Sequence, residues 1–151
     1  MATSIREQIL TNVKTTLETI KISNGYEIDV ESVLRVQRSP YDAIPLPSVI
    51  IYDLGEDKEE GNPYQFTNCN LHLELIFWNS GGYENMSEEA IKLACSIEKA
   101  LGVDGKRGGL AIDTDIMRNS FTLDEENFPV GGGSVTVDIM YRHRVYNPYT
   151  Q

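Results

Sequence analysis

Histidine and cysteine are scarce in this chain, with two of each in 151 residues, and there is a single tryptophan. Cys69 and Cys95 stand far apart, with neither the density of a disulfide scaffold nor the CxxC spacing of a metal site, and are expected to be buried thiols. His72 and His143 both fall inside alternating apolar and polar segments, and no GxSxG elbow is present, so nucleophilic catalysis lacks a base placed for it. Basic residues are also in deficit: 13 Lys and Arg against 23 Asp and Glu give a formal charge of -10, which opposes phosphate-backbone binding. No apolar run reaches the ~20 residues of a membrane span, and the amino-terminal residues carry no apolar signal core, so use in a cytoplasm-like compartment is expected.

What remains is an ordinary globular composition, 40% hydrophobic and 24% charged, of a length that fits one domain over residues 1–151. Ile5, Ile9, Val13, Leu17 and Ile20 recur at helical spacing, Ser4 and Glu7 form a capping box, and Asn24-Gly25 supplies the stop. From Tyr26 the period becomes two, and Ile28 to Val36 reads as a strand bulged near Ser32. Three prolines between Ser39 and Pro47 make a shaped loop before a short strand at Ser48–Tyr52.

A long strand from about Tyr64 to Trp78 sets Leu71, Leu73, Leu75 and Phe77 on one face and His72, Glu74 and Ile76 on the other. With the preceding strand it predicts a long protruding hairpin whose tip is the acidic segment Gly55–Asn62. A second helix is expected from a capping pair of Asn85 and Glu88 through Ala90, Leu93, Ala94 and Ile97 to Leu101. Strands around 110–121 and 135–145 follow, the last alternating from Val135 to Val145. The glycine clusters Gly105–Gly109 and Gly131–Gly133 precede strands, offer no helix N-terminus to an anion, and are expected to be turns. Asp113 and Asp115 share a strand face without a third metal ligand. The expected fold is α+β, a mostly antiparallel sheet with two helices packed on one face.

Neither a catalytic nor a cofactor or metal site emerges, and the expectation is a protein that is not an enzyme. The protrusions are the features in excess of what a core needs. Glu56, Asp57, Glu59 and Glu60 at the hairpin, and Asp124, Glu125 and Glu126 in a second acidic loop, are candidates to face a partner or line a bore. Tyr146, Pro148 and Tyr149 in the aromatic tail are candidates for contact with a neighbouring subunit.

The arrangement resembles the tail terminator proteins of long-tailed bacteriophages, with the related tail-completion and neck proteins. The resemblance is carried by the helix Ser4–Ile20, the strand ending Val33-Leu34-Arg35-Val36 before Pro45-Leu46-Pro47-Ser48-Val49-Ile50-Ile51, and the long strand Leu71–Trp78. It continues through the helix ending Ile97-Glu98-Lys99-Ala100-Leu101 and the closing strand and tail Val135–Tyr149, so that it spans nearly the whole chain. It implies a virion protein of the tail or neck, assembled in the host cytoplasm, that forms a homohexameric ring. Such a ring would cap the tail tube, meet the head connector or neck protein, and pass DNA without binding it specifically. A head-completion or neck connector is the alternative within the class; a monomeric ligand-binding domain is the alternative outside it.

Overall fold

A computed structural model describes residues 2–35, 45–62, 65–79, 85–124 and 130–151, with the backbone alone at 61, 62, 122–124 and 130. The first helix, α1 (Ile5–Glu18), starts where Ser4 Oγ accepts the backbone N–H of Glu7, and buries Ile5, Ile9, Val13 and Leu17 as its periodicity predicts. Gly25, left-handed at φ 87°, closes the short 3-10 turn that follows. Five strands then form one sheet: β1 (Ser32–Leu34), β2 (Ser48–Asn62), β3 (Phe66–Asn79), β4 (Asp113–Asp124) and β5 (Val130–Arg144), in the spatial order β1-β2-β3-β5-β4. All neighbours are antiparallel except β1 and β2, which are parallel. The second helix, α2 (Met86–Val103), connects β3 to β4.

The odd-numbered residues of β3 from Cys69 to Phe77, and of β5 from Val135 to Tyr141, are buried in one cluster with the apolar stripes of both helices. Both helices therefore lie on one face, and the even-numbered residues of these strands form an opposite, polar face. The fold is the α+β arrangement expected. Four local expectations are corrected. The segment Gly55–Asn62 is not a hairpin tip: it is strand, pairing from Gly55 with His72 to Asn62 with Phe66, so the chain reverses between Asn62 and Phe66. Gly131–Gly133 is strand as well, opposite Asn79, Trp78 and Phe77, and glycine is required there because Met86, Phe77, Trp78 and the Ser120 carbonyl leave no room for a β-carbon. Asn85 caps α2 without a side-chain bond. Ile28 and Val30 are buried but precede the strand, which is only three residues long.

Candidate functional site

Two polar clusters occupy the sheet, one on each face. The inner one depends on a bulge. The register of β2 against β3 shifts between Asp53 and Gly55, so Asp53 and Glu56, three apart, both oppose inward-facing leucines, Leu73 and Leu71. Glu56 is thereby turned into the fold, its side chain only 8% exposed. There Tyr141 Oη donates to Glu56 Oε2 at 2.5 Å, Lys58 Nζ lies 3.2 Å from Glu56 Oε1, and Arg6 Nη1 lies 3.6 Å from the same oxygen. Arg6 also donates to both oxygens of Asp53, from Nε at 2.9 Å and Nη2 at 2.5 Å. This forked geometry is the strong form of an ion pair.

Burial alone would raise the Asp53 pKa, but the hydrogen bonds from Arg6 and the Gly55 N–H prevail and hold it below the usual carboxylate range. His143, 3% exposed, has Nδ1 2.7 Å from the carbonyl of Arg144, which can only accept. Its proton therefore sits on Nδ1, and Nε2 accepts from Lys58 Nζ at 3.2 Å. Burial and then the Glu56 hydrogen bond push Tyr141 well above its ordinary pKa, and burial does the same to the neighbouring Cys69 thiol. The phenol and thiol stay protonated, and the imidazole lone pair is occupied. Two cations balance two carboxylates, so the cluster is a neutral clamp binding the start of α1 to the β2–β3 hairpin and β5, with no free nucleophile or base.

On the outer face His72 bridges three strands. Its Nδ1 is 2.8 Å from Asp138 Oδ1 on β5 and its Nε2 is 2.8 Å from Asp57 Oδ2 on β2. Both bonds can form together only if both ring nitrogens carry protons. The His72 pKa is accordingly raised, by the hydrogen bond to Asp138 first and that to Asp57 second. A raised folded-state value means that the contribution to stability is complete below the unfolded pKa of roughly 6.5 and is lost as pH rises through the folded value. Chemical denaturation of wild type and His72→Gln between acid and alkaline pH is expected to show the variant's deficit shrinking as pH rises. A deficit independent of pH would remove the charged-histidine assignment.

The structure distributes the sequence candidates unevenly. Glu56 is engaged within the chain, while Glu59 and Glu60 are exposed, at the end of the hairpin that lies beyond the hydrophobic cluster. Asp57 has 83% of its side chain exposed and holds His72. Asp124 ends β4 opposite Val130; Glu125 and Glu126 lie outside the described residues. The tail is bound to its own chain: Pro148 O accepts from the N–H of Ile5 at the start of α1, Thr150 O accepts from Arg144 N, and Gln151 Nε2 donates to Leu110 O. Tyr146, at φ 57°, is 98% exposed and Tyr149 is half exposed. Cys69 is buried, but Cys95 is exposed, because it follows Ile91 by one turn on the solvent side of α2.

Arg6, Asp53 and Tyr141 were not singled out from the sequence, and His143 was considered only as a catalytic base. Their partners lie up to 85 positions away, and only the charged residues inside an otherwise apolar alternation hinted at them. Among the described residues no three His, Cys, Asp or Glu side chains converge as a metal group, and no helix is long and apolar enough to cross a membrane. Comparison with known proteins adds no relative: no family model matches the chain, and no curated protein matches it.

Proposed function

We propose that this protein is a structural component of a tailed-bacteriophage virion, forming a ring that ends the tail tube and joins it to the head or neck. The observation that carries the reading is the far end of the β2–β3 hairpin: it lies past the hydrophobic cluster, presents exposed Glu59 and Glu60, and is held by the adjacent clamp and by β5, which pairs with β3 as far as Phe66. A sheet end held this rigidly and carrying exposed charges suits contact with other protein chains. The two polar clusters support the same reading, since their charged groups are satisfied within the chain and leave no reactive set. The net charge of -10 suits a passage through which a polyanion slides without adhering. The ring contact would be heterologous, one patch meeting a different patch of the next subunit.

The test is a double substitution, Glu59→Lys with Glu60→Lys, in assembly reactions with tail-tube protein. Both residues are exposed, so the change in stability should stay within about 0.5 kcal/mol. Electron microscopy should show the wild type capping tubes as a ring and the variant failing to do so. Normal capping by the variant would take the hairpin end out of the assembly surface. A wild type that ignores tubes but binds the head connector would shift the assignment to a neck connector.

A further inference from the structure

We propose that the free edge of β4 is a self-pairing surface on which a second copy of this chain docks as an antiparallel strand about a twofold axis. The inference does not rest on the ring reading, since it uses a different surface and a different symmetry. β4 is an edge strand of 12 residues, and Ile112 just before it, with Met117 and Phe121 along it, are 42%, 58% and 51% exposed. The β2 edge at the other side of the sheet is guarded by five consecutive charged residues, Glu56 to Glu60, whereas Ile116 to Phe121 carries one charge, Arg118.

The direction of the unpaired backbone groups follows from alternation. The N–H of Val145 donates to Gln65 O, so the odd-numbered residues of β5 turn their backbone toward β3 and the even-numbered ones toward β4. On β4 the partners of those even residues, Asp113, Asp115, Arg118 and Ser120, are therefore engaged with β5. Thr114, Ile116, Asn119 and Phe121 turn their N–H and C=O outward, the Thr114 N–H donating to Asp113 Oδ1 at 2.9 Å. The register shift between Ile116 and Arg118 makes Met117 the extra residue of a bulge and keeps each set on one side.

With the twofold axis between Ile116 and Met117, Thr114 lies opposite Asn119, so outward groups meet outward groups, while Ile112, whose N–H is held by Met140 O, brings only its side chain near Phe121. On the polar face of the sheet Asp115 then lies opposite Arg118. Symmetry makes each of these pairs twice. The charge complementarity is what selects a second copy: the one cation of this stretch meets a carboxylate of the same strand in the other chain.

Light scattering or sedimentation across a concentration series should show a reversible monomer–dimer equilibrium. Arg118→Asp, which sets like charges opposite each other twice, should raise the dimer Kd by about tenfold or more. The exchange Asp115→Arg with Arg118→Asp should restore it. Asn119→Pro, which removes an outward donor and spares the bonds to β5, should give a folded monomer by circular dichroism. A chain that stays monomeric at every concentration overturns the proposal, as does a dimer indifferent to Arg118→Asp. A hexamer indifferent to that change would uphold the ring and still overturn the β4 pairing.

Discussion

Gly133→Ala is expected to destabilise the protein by about 3 kcal/mol or more, the upper range for forcing atoms into a packed interior. A β-carbon at Gly133 would stand 2.1 Å from the carbonyl oxygen of Ser120 and 2.8 Å from the Phe77 ring. The first neighbour is backbone in the adjacent strand, which cannot turn aside, so β4 would have to separate from β5 where they pair. Phe77 meets Phe121 edge to face at 6.4 Å across this position, and that contact would be disturbed too. For a chain of this length the loss corresponds to a melting temperature lower by about 10 °C. Gly102→Ala is the control. It lies in α2 with nothing within 4 Å of a β-carbon, and the same substitution there should stabilise by up to about 1 kcal/mol. Thermal melts of the two variants separate close packing from the general effect of removing glycine; equal shifts would sink the packing argument.

The glycine run shows why part of the fold was legible and part was not. Where apolar residues recur at a fixed period the elements followed: α1 buries Ile5, Ile9, Val13 and Leu17, and β3 alternates from Cys69 to Asn79. Those patterns are local consequences of helix and strand geometry. Gly131–Gly133 was expected to be a turn because glycine relieves strain at reversals. Here its role is absence of volume, and the residues demanding it, Phe77, Trp78 and Met86, lie across the sheet or in the next helix. The acidic segment failed for a related reason. Its charges read as solvated tip, yet the bulge after Asp53 turns Glu56 inward toward Tyr141 and Arg6, distant in sequence. Of the candidate surface, Glu59 and Glu60 kept the exposed position expected of them, while Glu56 became part of the clamp that holds their strand.

The sharpest case of distant partners is Arg107, for which Arg107→Met is expected to cost about 1–3 kcal/mol, the range for leaving buried polar groups without a partner. Arg107 sits in the glycine-rich turn after α2, and it is completely buried. Its Nη2 donates to the carbonyls of Leu101 and Asp104 at the end of α2, where intrahelical donors run out. Its Nη1 reaches Asn12 Oδ1 at 3.5 Å and Thr16 Oγ1 at 3.4 Å on α1. Burial lowers its pKa, but a guanidinium starts so high that it remains charged. One side chain thus caps the C-terminal end of α2, where a cation is favoured by the helix dipole, and ties that end to α1. Methionine keeps most of the volume and bears the same backbone cost at φ 51°, so the loss isolates the donors from the packing. Arg107→Lys keeps the charge without the fork and should fall between the two. Urea denaturation of the three proteins decides the matter: a methionine variant as stable as wild type would show that the α2 carbonyls are satisfied without Arg107.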